Sequence, residues 1–195
     1  MLRLLPALIV VLALSSISMA AVTDGTANLT FNLSSPGGTY APRHVTAVWV
    51  TDSSNNFIKT IFKQAGTRSQ YLYTWNAARG GQTQVDGVST ATVNTYTNPI
   101  SVSWDLRDYN DVLKPDGAYR IHIEFTDKHA QGPYTFIQFN KDSTSETIRP
   151  TDLAFIKGIQ LDYSATPVPE PITLGLLAVG SMMLLRRKKA LGARQ

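Results

Sequence analysis

The 195-residue chain contains no cysteine. Disulfides, thiolate metal sites and cysteine nucleophiles are therefore excluded together, even in an oxidising compartment where disulfides would form. Histidine is nearly as scarce. His44, His122 and His129 are the only three, and none sits in a metal-ligand spacing such as a helical His-Glu-x-x-His. Between the two ends of the chain, glutamate is reduced to Glu124 and Glu146, so nothing marks a paired general acid and base. A Gly-x-Ser-x-Gly elbow and a phosphate loop are both missing. The expectation is a protein with no catalytic residue, no resident metal and no enzymatic activity.

Long hydrophobic runs are also lacking, and the two short ones lie at the ends. Arg3 precedes an apolar stretch from Leu4 to Leu14, and Ser18-Met19-Ala20 supplies small residues for cleavage after Ala20. That order is a secretory signal peptide over residues 1–20, read by the secretion machinery and signal peptidase. At the other end, Val168-Pro169-Glu170-Pro171 leads into an apolar run from Ile172 to Leu185 and then Arg186-Arg187-Lys188-Lys189. Pro171 can open a helix but cannot sit inside one. The run covers only about 21 Å as a helix, short of a hydrocarbon core of about 30 Å. Its flanks can extend it, and the four cations would hold its C-terminal end in the cytoplasm.

This tail, residues 167–195, resembles the PEP-CTERM sorting signal of Gram-negative bacteria. The resemblance implies recognition near Pro169 by a membrane-embedded exosortase and transient anchoring in the inner membrane by the apolar helix. Delivery to the periplasm, cell surface or extracellular matrix would follow, often in species that make exopolysaccharide, which is then a candidate partner. The tail is an address and leaves the activity open.

Removing both ends changes the charge argument. Six of the 18 Lys and Arg lie in those ends, leaving 12 between Ala21 and Thr166, and Glu170 alone leaves the acids, 13 of 14 remaining. The basic pI therefore belongs to the ends and is no argument for nucleic acid. About 145 residues are left, enough for one domain with a hydrophobic core, spanning 21–166.

Periodicity in that domain is mostly two. From Ala118 to Thr126, Tyr119, Ile121, Ile123 and Phe125 alternate with Arg120, His122, Glu124 and Thr126, which predicts one face in the core and one in water. Asn28 to Leu33, Val45 to Thr51, Phe57 to Phe62, Ile100 to Trp104, Tyr134 to Phe139 and Leu153 to Tyr163 are further strand candidates. Residues 52–56 make a hairpin turn, and Gln70 to Ala78 could hold one short helix. Short strands with turns between them predict an all-β sandwich.

Trp104-Asp105-Leu106-Arg107-Asp108, a polar turn and Pro115-Asp116-Gly117-Ala118-Tyr119 resemble the Trp-Asp…Asp-Gly-x-Tyr signature of bacterial Ig-like modules, including the one in flagellar hook-cap assembly proteins. A longer pattern runs through Tyr40-Ala41-Pro42-Arg43-His44, Val48-Trp49-Val50, Phe57-Ile58-Lys59-Thr60, Trp75, Asp86 to Thr92 and the same Trp104 and Tyr119 motifs. It resembles the predicted periplasmic proteins of domain of unknown function 2271. Together the two resemblances imply an Ig-like β-sandwich. The aspartates of this region, with Asn110, invite a Ca²⁺ reading, but the EF-hand spacing is absent and turn capping is the default.

One stretch suggests a cofactor. Asp86-Gly87-Val88-Ser89-Thr90-Ala91-Thr92 is similar to the motif by which exported bacterial proteins receive FMN on a threonine. Asp86, Ser89 and Ala91 match it, Thr92 is the acceptor the resemblance implies, and Thr90 stands where Gly or Ser is usual. Read from the residues alone, Asp86-Gly87 is a hairpin turn between Val85 and Val88, with Ser89 to Thr95 a strand. His122 and Glu124 share a strand face that is either a small polar site or simply solvated. Trp49, Trp75, Tyr71 and Tyr73 could stack sugars or fill the core. Three functions are thus in view: a non-catalytic structural or binding module of the envelope, a covalent FMN carrier for electron transfer, and a carbohydrate-binding module.

Overall fold

Alternating apolar residues do build strands, and the strands form two sheets. The computed structural model describes residues 22–167. The expected signal peptide lies outside these, as do Val168, Pro169, Glu170, Pro171 and the cluster Arg186, Arg187, Lys188 and Lys189. Nine strands follow in order: β1 (Thr23–Leu33), β2 (Val45–Asp52), β3 (Phe57–Gln64), β4 (Val85–Thr90), β5 (Ile100–Trp104), β6 (Gly117–Thr126), β7 (Tyr134–Lys141), β8 (Glu146–Ile148) and β9 (Ile156–Pro167). A 3-10 turn at Ser69–Tyr71 and a short helix α1 (Tyr73–Ala78) lie between β3 and β4. One sheet has the order β5-β1-β9-β8 and the other β4-β3-β2-β6-β7. The chain is an all-β sandwich.

Between the sheets lies the main core. Leu29, Phe31, Leu161 and Tyr163 from one sheet meet Val48, Val50, Ile121, Ile123, Phe125 and Phe139 from the other. Trp104 is fully enclosed there, edge-on to Tyr119 at 5.2 Å, and its Nε1 donates to the Arg107 carbonyl. That bond closes the turn after β5, in which Asp105 and Asp108 accept from backbone N–H groups of Arg107, Asn110 and Val112.

The expected water-facing side of β6 is in fact a second interior. His122, Glu124 and Thr126 are all buried. The outer face of the five-stranded sheet is roofed by the 65–78 segment, whose Ala65, Leu72 and Trp75 pack on Val45, Ala47 and Trp49 of β2. Glu124 fixes the roof in place. Its carboxylate accepts from the backbone N–H groups of Thr74 at 3.1 Å and Trp75 at 2.8 Å. The helix's own N-cap residue, Leu72, has no side chain able to do this. Burial raises the Glu124 pKa, against the pull of those hydrogen bonds.

Asp86-Gly87 is a second correction. The pair lies inside β4, which runs parallel to β3 with Thr60 opposite Val85 and Phe62 opposite Val88. It is therefore a register break in a parallel edge strand, where a hairpin turn was expected. Gly87 sits directly on the backbone of Ile61 with φ 156°, a close approach that leaves no space for a Cβ. The strand stops at Thr90, and only a single bridge, His44 to Val93, follows within the expected span to Thr95.

Candidate functional site

The pairing registers divide the sandwich into two ends. Thr23 of β1 pairs with Pro167 of β9, so both termini of the described domain lie at one end. Asp52 pairs with Tyr119, and Gly117 with Lys141, which puts the 53–56, 105–116 and 142–145 connections at that same end. At the opposite end, Val45 pairs with Thr126 and Glu124 with Tyr134. There the 34–44, 65–72, 91–99 and 127–133 connections converge.

The four far connections are joined by side chains. The Arg68 guanidinium carbon stands 4.2 Å from the centre of the Tyr40 ring. Tyr40 lies 4.3 Å from His129 and its hydroxyl meets His129 Nδ1 at 3.1 Å, while Tyr71 stacks on His129 at 4.5 Å. Beneath this column, Asp127 is fully buried and accepts from the Ser35 hydroxyl at 2.6 Å and the Tyr96 hydroxyl at 3.2 Å. Tyr96 in turn stacks flat on buried His44 at 4.1 Å. Burial and the adjacent Asp127 carboxylate both raise the Tyr96 pKa, and burial lowers that of His44.

Two features here are not explained by stability. Arg68 holds φ 79°, a left-handed conformation that an L side chain adopts at a cost of about 1–2 kcal/mol. Its Nη2 donates to the Lys128 carbonyl at 3.0 Å, yet its covered Nε and Nη1 have no partner among the described residues. Asp127 Oδ1 is likewise buried without a partner. Groups of this kind cost free energy unless something else uses them, and they concentrate at binding sites.

The sequence-predicted candidates are distributed otherwise. Thr92 lies on the 91–99 connection, half-buried, and its hydroxyl accepts from Gly66 N–H at 3.2 Å and donates to the Thr67 carbonyl at 3.1 Å. An acceptor for FMN needs a free hydroxyl, and this one is engaged on both sides, so the surroundings do not fit a ready attachment point. Asp86 and Ser89 are strand positions of β4, and Ala91 follows its end. Trp49 and Trp75 are 1% and 3% exposed and cannot meet a sugar, whereas Tyr73 is 47% exposed. The aspartates read for calcium are dispersed onto separate cations: Asp105 pairs with Lys59, Asp108 with Lys114 and Asp116 with Lys141. Among the described residues no group of three His, Asp or Glu is placed to hold a metal ion, and no helix is long and apolar enough to cross a membrane.

His122 is buried and engaged at both ring nitrogens. Its Nε2 meets Thr51 Oγ1 at 2.9 Å, its Nδ1 meets the Tyr134 hydroxyl at 2.8 Å, and its ring stacks on Trp49 at 4.9 Å. The far-end cluster escaped the sequence reading because its members come from four separate connections with no shared spacing. The one available signal was compositional, since Tyr40, Arg68, Tyr71 and His129 all fall in segments that carry no strand period.

Comparison of the chain with protein-family models, with curated proteins and with solved structures finds no match.

Proposed function

We propose that this chain is an exported, tail-sorted binding module without catalytic activity, which presents the end of the sandwich opposite its termini to a partner in the envelope or extracellular matrix. The sandwich is read as Ig-like on the Trp104-Asp105 and Asp116-Gly117-Ala118-Tyr119 resemblance. Export and exosortase sorting rest on residues 1–20 and on the Val168-Pro169-Glu170-Pro171 tail with its basic cluster.

The observation that carries the binding reading is Arg68. A left-handed residue whose two covered guanidinium nitrogens have no partner among the described residues costs stability, as strained groups at binding sites do. It stands at the end from which the termini do not emerge, so a domain held through its tail would turn this end outward.

The test uses the full chain with both sorting signals in a Gram-negative host that makes exosortase. Arg68→Ala and Tyr71→Ala should be exported and processed as the unsubstituted chain is, yet be released several-fold more readily from washed cells and matrix. Glu170→Ala should instead accumulate unprocessed in the membrane. Retention of both far-end variants at the unsubstituted level would sink the binding-face reading. Intact mass on the same samples tests the rival reading, since an FMN adduct lost in Thr92→Ala would make the protein a redox carrier.

A further inference from the structure

Natural sheets guard their edges by keeping edge strands short, broken or charged. Three of the four edges here are guarded in this way. β8 has three residues, β5 has five, and β4 is interrupted at Asp86-Gly87. The fourth edge, β7, has eight residues paired to β6 in unbroken register. Its only charge, Lys141, is fully buried on Asp116 at 2.6 Å, so no charge is exposed along the strand. Phe136 and Tyr134 are 47% and 37% exposed on its outer face.

The free backbone groups of this edge can be named. Asn140 N–H points away from β6, because it donates to Glu146 Oε1 at 3.2 Å. In an antiparallel ladder the direction alternates, so the N–H and C=O groups of Gln138, Phe136 and Tyr134 point the same way. No strand among the described residues pairs with them. Glu146 closes the row at one end, and at the other the ladder ends at Pro133, whose carbonyl turns back to accept from Phe125 N–H. The three open residues are symmetric about Phe136.

Charge then selects the orientation of a second strand. At the terminal end, the 105–116 and 142–145 connections carry five aspartates against Arg107 and Lys114. At the far end, the 34–44, 65–72, 91–99, 127–133 and 149–155 connections carry Arg43, Arg68, Lys128 and Arg149 against Asp152 and buried Asp127. An antiparallel neighbour sets the acidic end of one molecule beside the basic end of the other. A parallel neighbour would set like against like.

We infer that β7 pairs antiparallel with β7 of a second copy about a two-fold axis at Phe136, joining the two five-stranded sheets into one. Phe136 faces Phe136 of the second copy, Tyr134 faces its Gln138, and about six backbone hydrogen bonds close the seam. The two Phe136 rings meet on the outer surface as a cross-strand aromatic pair. This contact involves neither the far-end cluster nor the tail, so its failure would leave the binding reading untouched.

The absence of cysteine makes the test direct, because any introduced thiol is unique. The full chain, carrying Tyr134→Cys, Phe136→Cys or Gln138→Cys, is oxidised in the native membrane or matrix fraction and run on a non-reducing gel. Phe136→Cys should form a disulfide-linked dimer in several-fold higher yield than either neighbour. Its two Cα atoms lie about 5.5 Å apart across the axis, within disulfide reach, whereas Tyr134 lies about 14 Å from its copy. Mixing Tyr134→Cys with Gln138→Cys should restore cross-linking. Equal yields at all three positions would mean parallel pairing or mere collision. A Phe136→Cys thiol that reacts freely with maleimide and never dimerises would mean an open edge. A thiol shielded from maleimide without a dimer would mean that another segment or protein covers β7. Each of these three results overturns the inference. Far-UV circular dichroism of every variant reports that the sandwich is intact.

Discussion

His122 lies between Trp49, Thr51 and Tyr134, and burial, helped by nearby Arg120, pushes its pKa down to about 4. Between its ordinary value of 6.5 and that level the unfolded chain takes up a proton that the folded chain refuses. Stability from this residue is therefore complete above pH 6.5 and falls as the pH drops towards 4, by about 3 kcal/mol in all. His44, also lowered by burial, works in the same direction, while the raised carboxyl of Glu124 works against both. His122→Phe should reduce the loss of urea midpoint between pH 7 and pH 4.5, and an unchanged loss would assign it elsewhere. Asp116 behaves oppositely. Burial pushes its carboxyl up, but bonds from Lys141 Nζ and from the Thr23 N–H and hydroxyl outweigh this and hold it below its ordinary value. Its contribution is present above the ordinary carboxylate range and is lost as the pH falls through the folded value. Asp116→Ala strands the Lys141 ammonium and should cost about 3–5 kcal/mol, most of it recovered in the Asp116→Leu/Lys141→Met double variant. Arg68→Gly should raise the unfolding free energy by about 1 kcal/mol while abolishing retention, if this residue is kept for binding.

At the scale of elements, α1 depends on its neighbour. Six residues are too few to be helical alone, and the first-turn N–H groups are satisfied from β6. Glu124→Ala should speed hydrogen exchange at Thr74 and Trp75 and cost about 1–2 kcal/mol, whereas Glu124→Gln, which keeps one acceptor, should lose less. The same contact explains where the sequence was readable. Strands such as Ile100 to Trp104 were plain because one face meets the core and the other meets water. In β6 the polar side also alternates, yet Glu124 is capped by a segment that comes from about 50 residues upstream and His122 is enclosed by Trp49, Thr51 and Tyr134. No local period can report a lid. β4 was missed because Asp86-Gly87 carries the composition of a turn, and only the parallel partner β3 gives it a strand's job. β8, with three residues, is too short for alternation to register. Within the far-end cluster, Tyr71 was noticed as an aromatic, but its stacking on His129 is a property of two loops brought together.

At the scale of the molecule, the near-neutral domain is electrically lopsided, with acid around the termini and base at the opposite end. Self-association that sets unlike ends side by side should weaken as salt rises from about 50 to 500 mM, because the Debye length then falls below the spacing of exposed charges. Sedimentation of the full chain across that range checks it, and a salt-independent dimer would leave the seam to hydrogen bonds and the Phe136 pair alone. The adjacency of Thr23 and Pro167 has a mechanical side. A load between a tail anchor and a partner on the far end runs lengthwise along β9. The 10 paired positions it shares with β1 then resist together, in shear. A pull applied to the two termini instead would open the same ladder like a zip, one rung after another. Under a load between the two ends of the sandwich, β9 is the last strand that should slip out.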